Sequence, residues 1–107
     1  MITKKDIEKL KSECDNYKKK YKEKSEELQK LSNDLNGEIN EELTKKGKEA
    51  KKLYDELCAS QKLYKDACIS YVHGKLASMD DALRELFLLQ HGSDMKKDNW
   101  EPVLSAL

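Results

Sequence analysis

Two apolar stripes with the same rhythm, one on each side of an Asn-Gly pair, constrain this chain more than any other feature. The first runs Ile7, Leu10, Cys14, Tyr17, Tyr21, Lys24, Leu28, Leu31 and Leu35, in alternating steps of three and four, and Lys24 alone interrupts it. The second runs Ile39, Leu43, Lys46, Ala50, Leu53, Leu57, Ser60, Tyr64, Ala67 and Tyr71. Such spacing holds one seam of a helix apolar, which is what a coiled coil requires. Lys, Glu and Ser fill the positions between.

If the chain folds back at Asn36-Gly37, a single register serves both stripes. Leu31 then meets Leu43, Leu28 meets Lys46, Lys24 meets Ala50, Tyr21 meets Leu53, Tyr17 meets Leu57, Cys14 meets Ser60 and Ile7 meets Ala67. The sizes match as a packed seam requires: the long stem of Lys24 faces a small Ala50, and Cys14 faces Ser60. Gly37 tolerates the positive φ of a helix C-cap and Asn36 tolerates it too, so a reversal near 36–38 is chemically easy. A continuous helix of about 70 residues, roughly 105 Å long, is the rival, and it needs a second chain to cover its stripe. The matched register favours the hairpin.

Composition agrees. With 39% charged residues, 37% hydrophobic, one Pro and four Gly, the sequence suits long charged helices. Its 21 basic and 21 acidic residues cancel, so no long-range field draws it toward nucleic acid or acidic membrane. Every basic residue except Arg84 is Lys, and sequence-specific nucleic-acid reading relies on the planar fork of Arg. Cys14, Cys58 and Cys68 form an odd set without a CxxC pair, which suits reduced thiols. The opening MITKKDIEKLKSE leads directly into charged helix with no apolar leader, so a cytoplasmic, intracellular location is expected.

Beyond Leu63 the pattern changes. Tyr64, Ala67, Cys68, Ile69, Tyr71, Val72 and Leu76 make a stripe too broad for one facing helix, so more protein must cover it. Ser78, followed by Met79, Asp80 and Asp81, predicts the start of a third helix, which runs to His91 with Gly92 as its cap. That helix is apolar nearly all round, so one of its sides can belong to another molecule. Trp100, Val103, Leu104 and Leu107 share one face of a short final helix, with Pro102 in its first turn. The expected fold is therefore all-α: a long antiparallel coiled-coil hairpin over 1–73, turning near 36–38, with short apolar helices over 74–107 packed at its base in the same domain.

No phosphate-cradling loop, HExxH, nucleophile elbow or paired Cys/His ligand set occurs, so no catalytic, cofactor or metal site is expected and the chain reads as a non-enzyme. His73 and His91 are expected in the last turns of their helices, facing the negative end of the dipole. Cys14 reads as a small core residue that can lie near Cys58 across the hairpin.

Two surfaces remain. The first is an apolar base of Leu83, Leu86, Phe87, Leu88, Leu89, Trp100 and Leu104; Trp100 serves there either as a staple of the fold or as an anchor for a partner. The second is a belt of Lys18, Lys19, Lys20, Lys22, Lys48, Lys51 and Lys52, which the hairpin register sets side by side. The base predicts a protein-binding adaptor, scaffold or assembly factor that self-associates as a homodimer or takes a helical partner. Antiparallel arms with a Lys belt resemble the BAR-type architecture, and that resemblance implies contact with an anionic membrane surface; the zero net charge argues against it. A small helical chaperone or inhibitor that masks a partner's helix is the third expectation.

Overall fold

A computed structural model describes residues 2–35 and 40–107, and 88% of the described residues are helical. Four helices follow in order: α1 (Lys4–Asp34), α2 (Glu41–Ala77), α3 (Asp81–Lys96) and α4 (Trp100–Ser105). The long helices α1 and α2 pack against each other as a helical hairpin, and no strand occurs among the described residues. The expected turn near 36–38 lies outside the described residues, as does Ile39, the first position of the second stripe. The chain divides into two compact units, Leu10–Lys62 and the pair of segments Met1–Lys9 and Leu63–Leu107.

In the 10–62 unit the shared register is visible in the contacts themselves. Every described stripe position there is buried or half-buried, whereas most positions between are exposed. Lys24 lies beside the level of Ala50 and sends its ammonium to Glu49 at 3.1 Å, while Lys46 reaches Glu27 at 3.5 Å. Lys24 also meets Glu27 at 3.4 Å. The one charged residue in the first stripe thus buries its stem and carries its charge out to two carboxylates at the rim. The Tyr21 and Tyr54 rings lie 5.5 Å apart in a tilted contact, and the Ser60 hydroxyl lies beside the sulfur of Cys14.

Asn40 starts α2 by accepting the Leu43 N–H on its side-chain oxygen at 2.8 Å, with Glu41 and Glu42 in the first turn at the positive end of the dipole. The other unit holds the corresponding start of α1. There Thr3 accepts the Asp6 N–H at 3.3 Å and Asp6 accepts the Thr3 N–H at 2.9 Å, a reciprocal capping box.

The core of that second unit is built from Ile7, Ala67, Cys68, Val72, Leu76, Phe87, Trp100 and Val103, all buried. Covering the broad stripe of α2 is therefore the task of α3 and α4, as its width requires.

Two expected boundaries are corrected. Asp80, not Ser78, caps α3, accepting the Leu83 N–H at 2.8 Å with an extended backbone. The Ser78 hydroxyl instead donates to the Lys75 carbonyl at 2.9 Å and helps close α2. Gly92 does not end α3 either, since a helix interior accepts Gly at a cost of about 1 kcal/mol. The stop comes at Asp98, which takes the left-handed conformation with φ of 56°. Its N–H bonds the Met95 carbonyl at 3.3 Å and the Asn99 N–H bonds the Asp94 carbonyl at 2.9 Å, which is the Schellman arrangement. The Asp98 carboxylate then meets Lys65 of α2 at 3.2 Å.

Candidate functional site

The seven residues of the expected apolar base do not share one surface. Phe87 and Trp100 are only 7% and 5% exposed, so both pack inside the unit, and Leu104 is half-buried. Leu83, Leu86 and Leu89 remain 54%, 51% and 84% exposed, and Leu88 42%. Helical spacing explains the division. Arg84, Phe87 and His91 recur at three and four and form the inner face, which leaves Leu83, Leu86 and Leu89 along one flank and Leu88 on the other.

The inner face is polar at its edges. The Phe87 and His91 rings lie 4.8 Å apart, so His91 sits within α3 rather than in its last turn, correcting the expected dipole role. It lost that role when α3 continued past Gly92. Its Nδ1 and the Trp100 Nε1 are buried without a hydrogen-bond partner among the described residues. His73 is exposed on α2. At the junction of α2 and α3, Arg84 donates from Nε to the Leu76 carbonyl at 3.0 Å and from Nη2 to the Met79 carbonyl at 3.1 Å, and pairs with Asp81 at 3.3 Å. It thereby ties the last turn of α2, through Leu76, to the link that follows it, through Met79. In the sequence Arg84 stands out by the rarity of its kind, and a sole Arg just after a helix junction is the signal for this role.

All seven lysines of the expected belt are exposed, yet they do not form one face. On α1, Lys18 and Lys22 lie on the flank that continues into Ser25 and Gln29, which line a groove with Leu43 and Gly47 of α2. Lys20 lies on the opposite flank with Lys24, which faces Glu49, and there Lys52 follows Glu49 by three. Lys51, four residues after Gly47, shares the flank of Lys18 and Lys22, Lys20 and Lys52 lie on the other, and Lys19 and Lys48 turn away from the seam. Glu27 and Glu49 interleave with the basic groups.

Burial of Cys68 and of Cys14 pushes both thiols above their ordinary pKa, and for Cys14 the nearby Asp15 carboxylate adds to the effect. Neither is activated toward nucleophilic chemistry. Cys58 is exposed, and its contact with the Tyr54 hydroxyl raises the phenol's pKa. A cleft of about 710 Å³ lies between the start of α1 and the end of α2, with Lys4 and Lys75 at its rim. Its Thr3 and Ser78 hydroxyls are already engaged by Asp6 and Lys75, so it lacks the convergent polar groups of a ligand site.

Among the described residues, no cluster of three or more His, Cys, Asp or Glu is placed to hold a metal ion, and no helix is long and apolar enough to cross a membrane. No protein-family model, curated protein or solved structure matches the chain.

Proposed function

We propose that this chain is a non-catalytic protein-protein interaction module, of the adaptor, scaffold or assembly-factor kind, whose contact surface is the leucine flank of α3. The observation that carries the reading is the exposure of Leu83, Leu86 and Leu89 on a helix whose other side is already engaged in the core. Contiguous apolar surface of that kind on a small chain marks an interaction site more often than it stays in water. The dispersal of the lysines over opposite flanks gives less support to a membrane-surface role, which needs a continuous basic face.

A photo-crosslinking residue placed at Gln90, beside the flank, tests the reading in intact cells. A crosslinked adduct that disappears when Leu89 is changed to Lys supports it. No adduct of any kind, or an adduct indifferent to Leu89, overturns it.

A further inference from the structure

Within the exposed flank, Ala82, Leu86, Leu89 and Ser93 recur at steps of four, three and four, and all four are exposed. This is the same seam rhythm that pairs α1 with α2, and on α3 none of the described residues covers it. We infer that the occupant is a second copy of this chain, its α3 lying antiparallel on the first. The inference rests on the interaction reading above and names the partner.

Self-complementarity carries the choice. In an antiparallel register that sets Leu86 against Leu89 of the second copy, two-fold symmetry sets Leu89 against its Leu86, and small Ala82 meets small Ser93 at both ends. The same register brings Asp81 to within one helical turn of the opposing Lys96, twice. Asp81 and Lys96 lie on the same flank of the seam, and antiparallel helices bring like flanks together. The Asp81 side chain is fully exposed and contacts Arg84 at 3.3 Å through one oxygen, so further acceptor capacity remains. Zero net charge removes long-range repulsion between copies. A seam on one helix of this length covers less than the roughly 800 Å² per partner of a standard interface, so the pairing is concentration-dependent.

Sedimentation equilibrium of the full chain under reducing conditions, over a wide concentration range, tests the pairing. The wild-type mass is expected to climb from monomer to dimer. Leu89→Asp should weaken association by about tenfold or more, as loss of a central contact does, whereas Leu88→Asp, on the other flank, should match wild type. Asp81→Lys and Lys96→Asp should each weaken the dimer, and an equimolar mixture of the two should restore it. Circular dichroism of each variant separates lost pairing from lost folding. A monomer at every concentration, or a dimer indifferent to Leu89→Asp, overturns the pairing. A monomeric protein whose Gln90 crosslinker still captures a different partner through Leu89 overturns the second copy alone and leaves the interaction reading standing.

Discussion

Arg84 reaches back from α3 to donate its Nε–H to the Leu76 carbonyl at 3.0 Å, while its Nη2 holds the Met79 carbonyl at 3.1 Å. One guanidinium thereby closes the end of α2 and fixes the start of α3 beside it. Lys carries the same charge but has no planar fork to serve two carbonyls at once. Arg84→Lys and Arg84→Ala are both expected to destabilise the protein, by about 1 to 2 kcal/mol, the lower part of the range for charge-assisted hydrogen bonds because the group is partly exposed. Urea denaturation followed by circular dichroism measures it, and a Lys variant as stable as wild type contradicts the two-carbonyl account.

Leu57 is buried in the hairpin seam and Leu89 stands in solvent. Leu57→Ala should cost roughly 2 to 5 kcal/mol, the usual range for a buried leucine left as a cavity. Leu89→Lys should change monomer stability by no more than about 0.5 kcal/mol, as exposed substitutions do. Thermal melts at low protein concentration compare the two; equal losses mean that Leu89 is core.

The three cysteines should react with iodoacetamide in order of exposure. Cys58 is expected to be alkylated first, Cys14 more slowly and Cys68 only when the protein is unfolded, since burial both blocks access to the buried thiols and holds them protonated. Mass spectrometry of timed samples reads the order. Early modification of Cys68 contradicts its place in the core.

Asp6 sets an acid limb. The Thr3 N–H and hydroxyl hold its carboxyl below the ordinary carboxylate range. A carboxylate whose pKa is depressed by folding contributes stability above its unfolded pKa, and that contribution is lost as pH falls through the folded value. Asp6→Asn should therefore be less stable than wild type at neutral pH, with the difference shrinking once the solution is acid enough to protonate Asp6. Melting curves from neutral pH down to strong acid test the convergence; a gap that stays constant assigns the effect to something other than titration of the capping box.

Much of the hairpin was legible in the sequence because a coiled-coil seam is a one-dimensional signal: Lys24 opposite Ala50 and Cys14 opposite Ser60 follow from spacing alone. The surroundings of α3 were harder. Ser78 and Asp80 are both good caps, and the choice between them depends on which side chain the end of α2 engages. A helix apolar nearly all round gives no orientation from its own composition, so Phe87 could not be told from Leu89 without the core it packs into. The dispersal of the lysines was readable in principle, since Lys18 and Lys20 fall on different sides of any helix whose seam passes through Tyr17 and Tyr21.

The register of the 10–62 unit also governs how this protein can change length over evolutionary time. Deleting a single residue from α1 rotates everything beyond it away from its mates on α2 and separates Lys24 from Glu49. A heptad lost from one arm together with a heptad from the other preserves every remaining pair. Variation in this hairpin is thus quantised, and viable relatives should differ by matched heptads in the two arms while the unit containing Trp100 stays constant in size.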